Sequence, residues 1–238
     1  MRTIIVFLFL FLFLVLSMPY VLYLKLLGKS KPYEAAVKSQ NAARWGFKAI
    51  LFLSGVKLSV TGEEKIPGDR AVVYMANHRS FFDIVVASSR FVRPTGFLAK
   101  QELSKVPLLA AWMRIIHCKF IDRSSLKQGL KVIHECADEV KNGISICIFP
   151  EGTRSKGKEG ELLEFHDASF QVALKSGAPI VPIAIKNSRS CFEAQFPWVK
   201  SSDVSIEFGA PIETSGIDRS QKKEIIVRTR AAIEEMLK

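Results

Sequence analysis

Apolar side chains occupy every position from 4 to 16, and beyond Ser17 and Pro19 the apolar run continues to position 24. A helix over residues 3–27 would be long enough to cross about 30 Å of lipid hydrocarbon. The apolar core of a cleaved signal peptide ends after about 7–15 residues, so the continued run argues against cleavage. Pro19 leaves open a kinked segment that enters only one leaflet. The pattern therefore predicts an N-terminal membrane anchor, either crossing or re-entrant.

A second helix is predicted over residues 33–54, where polar side chains recur every three or four positions. These polar positions are Glu34, Lys38, Asn41, Arg44 and Lys48. Arg44 and Lys48 make a membrane-spanning role costly, so we expect the helix to lie in the headgroup region beside the first one. The alternative is an ordinary first helix of the domain that follows. On the favoured interpretation, residues 1–54 form membrane-anchoring helices.

Strand and helix signals alternate from residue 57 to the end of the chain. Short runs rich in β-branched and aromatic residues predict strands over residues 58–61, 71–76, 96–99, 118–121, 144–149, 180–185 and 204–208. Helices are predicted between them, over residues 106–116, 125–141, 164–175 and 221–237. This alternation predicts an α/β domain over residues 55–238, with a mostly parallel sheet flanked by helices. Ligands of such sheets bind beyond the carboxyl ends of the strands.

The charge of the chain is concentrated near the apolar segment. The net charge is +11 over 238 residues, and residues 1–60 contain eight basic side chains against Glu34 alone. A basic collar beside an apolar segment attracts anionic lipid headgroups, and it argues against a nucleic-acid partner, which requires a charged soluble face. If the segment spans, the basic excess after it places the domain that follows on the cytoplasmic face of the cell membrane.

Cysteine usage points to a reducing environment. The four cysteines, at positions 118, 136, 147 and 191, are widely spaced and form no CxxC pair. Zinc sites need closely paired ligands, and disulfide frameworks are typical of small secreted chains. We therefore expect four reduced, buried thiols.

The first polar cluster occupies residues 77–83, with the sequence NHRSFFD directly after a predicted strand. On one continuous helix, His78 and Asp83 would diverge by about 140°. They meet if His78 lies in the turn after the strand and Asp83 in the first helical turn, with Ser80 as the N-cap. The carboxylate would then fix the imidazole tautomer and leave the second ring nitrogen basic. With no neighbouring nucleophile, this pair suggests a general base that acts on a substrate hydroxyl.

The second polar cluster is EGTR at residues 151–154, after the strand predicted over residues 144–149. Gly152 permits a tight turn, Thr153 and backbone amides can donate hydrogen bonds, and Arg154 can bind an anion with two N–H groups. Arg123 follows the strand predicted over residues 118–121, and Lys100 follows the strand predicted over residues 96–99. Cations at three strand ends predict a phosphate-binding site.

Four motifs occur in order: NHRSFFD at 77–83, LAKQEL at 98–103 leading to FIDR at 120–123, FPEGTRS at 149–155, and VPIA at 181–184. Through these motifs the chain resembles the glycerolipid acyltransferase family over about residues 55–210. The resemblance implies an acyl thioester donor, acyl-ACP or acyl-CoA, and lysophosphatidic acid as the acceptor, which yields phosphatidic acid. It implies no metal and no bound cofactor.

The resemblance also implies roles for individual residues. His78 would take the proton of the sn-2 hydroxyl, and Asp83 would orient the imidazole and stabilise the imidazolium. Lys100, Arg123 and Arg154 would hold the acceptor phosphate. Residues 151–153 would shape the glycerol pocket, and residues 181–185 would line an acyl slot. The substrate-binding set is Asn77, Lys100, Arg123, Glu151, Gly152, Thr153 and Arg154.

The sequence departs from the family pattern at two places. His117 stands where family members usually have glycine, and residues 165–169 read FHDAS where the family often has FKxGA. Phosphate binding would then depend more on Arg123 and Arg154. Alternative functions are acylation of glycerol-3-phosphate at sn-1 or of another lyso-lipid, and, from a different class, an inactive lipid-binding protein.

Overall fold

A computed structural model describes residues 1–122, 124–217 and 221–238. Within these residues, seven strands form one sheet, and each overlaps a strand predicted from the sequence. The strands are β1 (Lys57–Thr61), β2 (Val73–Ala76), β3 (Thr95–Lys100), β4 (Lys119–Ile121), β5 (Ser145–Ile148), β6 (Ile180–Lys186) and β7 (Asp203–Phe208). The strands are short and, in the centre of the sheet, apolar on both faces, as buried parallel strands are.

The strand order is β1-β7-β6-β2-β5-β3-β4. Every neighbouring pair is parallel except β6 and β7, which are antiparallel. The register places Val73 beside both Ile146 and Ile180, so β2 lies in the middle of the sheet. The carboxyl ends of β2, β3 and β5 therefore share one edge, and the α/β prediction is confirmed.

Helices cover both faces of this sheet. They are α1 (Arg2–Leu16), α2 (Met18–Leu27), α3 (Pro32–Ser54), α4 (Phe81–Arg90), α5 (Pro107–Ile115), α6 (Leu126–Lys141), α7 (Gln171–Ser176) and α8 (Lys222–Leu237). The helix predicted over residues 164–175 begins only at Gln171, after a short 3-10 turn. The amides of Leu163 and His166 donate to Glu151 and to the Pro150 carbonyl, so this stretch cannot form a helix.

Two hydrophobic cores lie on opposite faces of the sheet. One contains Met75 and Ile146 with residues of α6, α7 and α8. The other contains Tyr74 with residues of α4, and it also includes Val6 of α1 and Ile50 of α3. Burying each large apolar side chain contributes about 1.5–3 kcal/mol. The N-terminal helices are thus part of the core of the α/β domain.

The apolar N-terminal segment is divided into α1 and α2, which are bent by 46° at Ser17. The kink that the sequence leaves open at Pro19 is therefore present, because Pro19 is the second residue of α2 and lacks an N–H group to continue the hydrogen bonds of α1. The Ser17 hydroxyl also accepts a hydrogen bond of 2.7 Å from Trp112 Nε1, which holds the break against α5. Among the described residues, no single helix is long and apolar enough to cross a membrane, whereas this bent pair meets the requirement by length and composition alone.

The outer face of α1 and α2 carries many exposed apolar side chains. Phe11 and Leu8 are 59% and 54% exposed, and Trp45 on the neighbouring α3 is 61% exposed. Further exposed members of this face are Ile4, Ile5, Phe7, Leu12, Val15, Leu16, Leu22 and Leu26. A continuous exposed apolar surface of this kind marks a contact with a membrane or another protein. We refer to these residues as the apolar face.

Candidate active site

The turn between β2 and α4 is shaped by hydrogen bonds to its own side chains. Ser80 is the N-cap of α4, and its hydroxyl accepts a 2.9 Å hydrogen bond from the Phe82 amide. Asp83 completes a capping box, because its Oδ2 accepts hydrogen bonds from the amides of Ser80 at 2.7 Å and Arg79 at 2.6 Å. The motif residues thus form the start of the helix that carries them.

His78 and Asp83 lie together in this turn, as the sequence predicts. His78 Nδ1 is 2.8 Å from Asp83 Oδ2, and the other carboxylate oxygen accepts a hydrogen bond from the Ser188 hydroxyl. Asp83 is fully buried, whereas the His78 side chain is 15% exposed and its ring stacks on Phe149 at 4.0 Å. With Nδ1 bound to the carboxylate, Nε2 is the nitrogen left to exchange a proton with a substrate.

The EGTR loop is bonded to the same turn. Glu151 is 2% exposed, and its carboxylate accepts hydrogen bonds from the amides of His78 at 2.7 Å and Leu163 at 2.8 Å. The Ser155 amide in turn donates to the His78 carbonyl at 2.7 Å. Burial raises the pKa of Glu151, although both amides oppose that shift. Glu151, predicted to shape the substrate pocket, has both oxygens occupied by backbone and positions His78.

Arg79 joins the turn to the loop that follows EGTR. Its guanidinium is 5% exposed and donates to the carbonyl of Gly157 at 2.7 Å and to that of Lys158. It also forms an ion pair with Glu159 at 3.2 Å. The side chain of Arg79 therefore holds residues 157–159 near the dyad.

Arg154 points to the start of α4. Its guanidinium lies 3.9 Å from the centroid of the Phe81 ring and 3.0 Å from Glu193 Oε1. Glu193 also accepts a 2.7 Å hydrogen bond from the Phe81 amide and one from the Ser80 hydroxyl. A carboxylate thus occupies a position where an arginine and a helix N-terminus converge, which is the environment that binds phosphate in many proteins.

The Asn77 side chain is used inside the fold. It is 1% exposed, and its amide group donates to the Ile185 carbonyl at 2.9 Å and accepts from the Ile185 amide at 2.8 Å. The side chain bridges the ends of β2 and β6. Its predicted contact with substrate is therefore wrong, because both polar groups are used inside the fold.

The remaining predicted substrate residues have different positions. Gly152 adopts a left-handed φ of 69°, which explains why the turn contains glycine, and Thr153 beside it is exposed. Lys100 lies at the end of β3 and forms a 2.8 Å ion pair with Glu102. Arg123 lies outside the described residues. Their roles toward the acceptor stay predictions.

Residues 181–185, which were expected to line an acyl slot, lie inside the sheet. Val181, Ile183 and Ile185 are fully buried in the core on one face, and Ala184 is buried on the other face. Central parallel strands have no free face for a ligand. The expected role is therefore wrong for these side chains, which support the carboxyl end of β6.

His117 has a structural explanation. It adopts a φ of 61°, in the left-handed region that glycine occupies most readily. Its Nδ1 lies 2.9 Å from Glu139 Oε2, and Lys119 lies 2.6 Å from the other oxygen. Burial alone would raise the pKa of Glu139, but hydrogen bonds from His117 and Lys119 lower it to about 2.

The cysteine prediction agrees with the structure. The four thiols are free and buried. Burial raises the pKa of Cys118, Cys136 and Cys191 to about 12, which keeps these thiols protonated and unreactive.

Two residues of the site were not found by sequence reasoning. Ser188 and Glu193 lie in short 3-10 turns after β6; Ser188 contacts Asp83 and Glu193 contacts Phe81, each across more than 100 positions. Asn187 comes directly before this stretch and adopts a left-handed φ of 61°. Their position directly after the fourth motif could have drawn attention to them, but no spacing rule connects them to Asp83.

Two known proteins with similar sequences share one activity by name. The chain is 29% identical over 75% of its length to a 1-acyl-sn-glycerol-3-phosphate acyltransferase of Borreliella burgdorferi, covering 70% of that protein. A yeast protein of the same name, from Saccharomyces cerevisiae, is 26% identical over 85% of the chain and 68% of its own length.

A similar fold is found in a crystal structure. The 1-acyl-sn-glycerophosphate (LPA) acyltransferase of Thermotoga maritima superposes with a TM-score of 0.81 at 22% identity, over 99% of this chain and 94% of that one. The acyltransferase family model matches residues 57–186, from β1 to the end of β6, and includes both polar clusters. A match over more than half of the 238 residues, on the elements that carry the His78–Asp83 pair, shows that the chain belongs to the acyltransferase family.

Proposed function

We propose that the protein transfers a fatty acyl group from acyl-ACP or acyl-CoA to the sn-2 hydroxyl of 1-acyl-sn-glycerol-3-phosphate, and so produces phosphatidic acid. The observation that carries the proposal is the His78–Asp83 pair at 2.8 Å in a turn at the carboxyl end of β2. Relatives that are similar over most of the chain are named for this reaction. No metal or bound cofactor takes part in the proposed chemistry.

The dyad would act as a general base. His78 Nε2 takes the proton of the acceptor hydroxyl while the hydroxyl oxygen attacks the thioester carbonyl carbon. Asp83 stabilises the resulting imidazolium through Nδ1. The tetrahedral intermediate then collapses with cleavage of the C–S bond, and the imidazolium returns its proton to the departing thiolate. The products are the ester and a free thiol, and His78 is neutral again.

The acceptor phosphate is proposed to bind beside Arg154. Its side chain is 38% exposed, so a ligand in solvent can reach it. The adjacent N-terminus of α4 adds the positive end of a helix dipole. Lys100 and Arg123 are proposed as further cations of the phosphate site, while Gly152 and Thr153 border the glycerol moiety. When a phosphate binds, the Glu193 carboxylate must either share Arg154 with it or lose its ion pair with Arg154.

We further propose that the apolar face lies in the surface of the cell membrane, with the catalytic domain on its cytoplasmic side. The exposed side chains of α1 and α2 support this placement, because they would otherwise contact water. The basic residues beyond α2, including Lys29 and Lys31, would meet anionic headgroups. Lipid acceptor and lipid product would then enter and leave through the membrane.

The test is a reaction with purified full-length protein. Labelled acyl-ACP and acyl-CoA are offered with 1-acyl-glycerol-3-phosphate, glycerol-3-phosphate and other lyso-lipids, and the products are identified by mass spectrometry. We expect phosphatidic acid from the first acceptor, and a loss of at least about a thousandfold in kcat for His78→Ala. His134→Ala, at an exposed histidine on α6, is the matched control and should retain full activity. Release of free fatty acid alone, or faster acylation of glycerol-3-phosphate, would contradict the proposal.

A further inference from the structure

A cavity of about 480 Å³ lies at the opposite edge of the sheet from His78. Its walls include Val72, Pro94 and Ser145, which lie at the amino ends of β2, β3 and β5. The helix α4 connects the two places, because Asp83 lies in its first turn and Arg90, in its last turn, lines the cavity. The cavity is therefore separate from the proposed active site.

Cations dominate the charge of this cavity. Four arginines line it against one carboxylate, Glu63, which Arg90 binds with two hydrogen bonds of 2.9 and 2.6 Å. The lining arginines are Arg44, Arg70, Arg90 and Arg93. Burial, followed by the charges of Arg44 and Arg90, lowers the pKa of the neighbouring Lys48. Arg70 is paired at 2.6 Å with Glu213 outside the lining, so Arg44 and Arg93 are the lining guanidinium groups without a carboxylate partner in the described residues.

Tyr74 adds a buried donor to the same cavity. The residue is 3% exposed and lines the cavity, while its ring stacks on Phe91 at 4.5 Å. Within residues 1–122, 124–217 and 221–238, no hydrogen bond is made by its hydroxyl. Burial raises the pKa of this hydroxyl well above the ordinary value, so it stays protonated. The hydroxyl is not one of the fully enclosed side-chain atoms without a partner in the described residues, so it is open to the cavity and can donate a hydrogen bond to a ligand there.

We propose that this cavity is a second anion-binding site, which takes a small phosphate-bearing ligand. Guanidinium groups bind phosphate oxygens in pairs, and Tyr74 supplies a further donor from the floor of the cavity. The volume lies within the range of small-molecule sites and suits a phosphate ester with a short polar group. The ligand is either a free phosphate ester or the headgroup of an anionic lipid, since Tyr33 and Arg44 of α3 form one wall beside the N-terminal helices.

The test measures how inorganic phosphate stabilises the purified full-length protein against thermal unfolding, compared with chloride at equal ionic strength. We expect phosphate to raise Tm in the wild type and in Arg154→Gln, which removes the proposed acceptor site. Tyr74→Phe should weaken the apparent affinity for phosphate about tenfold, because a hydrogen bond to a charged group is lost, and it should leave Tm in chloride unchanged. Arg93→Gln should weaken it to a similar extent.

A matched control is Arg228→Gln on the exposed face of α8, which should titrate like the wild type. The proposal is overturned if Tyr74→Phe and Arg93→Gln respond to phosphate like the wild type, or if Arg154→Gln abolishes the whole effect. Co-sedimentation with phosphatidylcholine vesicles, with and without phosphatidate, identifies the source of the ligand. A phosphatidate-dependent loss of binding in Tyr74→Phe indicates a lipid headgroup, and unchanged sedimentation beside a weakened phosphate response indicates a free phosphate ester.

Discussion

Replacing Asp83 by asparagine tests the dyad while preserving its shape. In the native turn, Asp83 Oδ2 accepts hydrogen bonds from His78 Nδ1 and from the amides of Arg79 and Ser80. These three donors require an oxygen at that position, so the asparagine should place its carbonyl there and its NH₂ group toward Ser188, whose hydroxyl can then accept. The His78 tautomer and ring orientation are thereby retained, and only the negative charge is removed.

The expected loss of rate follows from the distance between the His78 and Asp83 charges. Two unit charges 2.8 Å apart interact by about 6 kcal/mol at an effective dielectric constant of 20, which would correspond to about ten-thousandfold in rate. In the variant, the neutral asparagine carbonyl still stabilises the imidazolium in part. Water at the exposed edge of His78 stabilises it further. We therefore expect Asp83→Asn to lower kcat about a hundred- to a thousandfold, with little change in the KM for the acceptor.

The assay follows phosphatidic acid formation at saturating donor and acceptor, beside thermal unfolding of each variant. Asp138→Asn, at an exposed carboxylate on α6, controls for loss of one negative charge and should have native activity. Loss of the capping charge should cost about 1 kcal/mol of stability, so the variant should remain folded during the assay. A folded Asp83→Asn protein whose kcat lies within threefold of the wild type would refute the imidazolium-stabilising role.

Three further variants test other parts of the structure. Glu193→Gln removes the negative charge beside Arg154 but keeps an oxygen for the Phe81 amide, so the KM for the phosphorylated acceptor should fall about three- to tenfold; a rise in KM would mean that Glu193 aligns the arginine instead. The pKa of Glu139 is lowered from 4.5 to about 2, so its stabilising contribution is present above pH 4.5 and is lost as the pH falls toward 2. Between pH 4.5 and 2, the free energy of unfolding measured with urea should decrease less in Glu139→Gln than in the wild type, by at most about 3 kcal/mol. An equal decrease in both proteins would contradict the assignment. Phe11→Glu, on the apolar face, should reduce sedimentation with lipid vesicles without loss of folding. Val227→Glu, at a similarly exposed position on α8, should leave sedimentation unchanged. Equal sedimentation of the two variants would show that α1 does not contact the membrane.

The sheet and the dyad could be predicted because their signals are local. Buried parallel strands are short apolar runs, so all seven were visible in the chain, with ends that differ by one or two residues. His78, Ser80 and Asp83 lie within one turn, and the capping preference of serine and aspartate places them at a helix start. Local chemistry and observed geometry therefore agree for this part of the site.

The parts that could not be predicted depend on distant contacts. Glu193 reaches Phe81 across more than 100 positions, and Ser188 reaches Asp83 across a similar separation. Asn77 and Glu151 were assigned to substrate, but partners elsewhere in the fold use their polar atoms. The break at Ser17 likewise involves Trp112, 95 positions away. A residue type indicates what a side chain can bind, and only the three-dimensional arrangement decides which partner it has.

The packing of α1 and α3 into the domain affects how a soluble form could be made and where the site would lie relative to a bilayer. Val6 and Ile50 share a core with Tyr74, so removing the first helices would uncover that core and unfold the remainder. A shortened, water-soluble enzyme should therefore be sought by polar redesign of the outward side chains rather than by truncation. The same rigid union would set the tilt and height of the cleft above a bilayer, so that substrates must arrive within a narrow layer of the headgroup region.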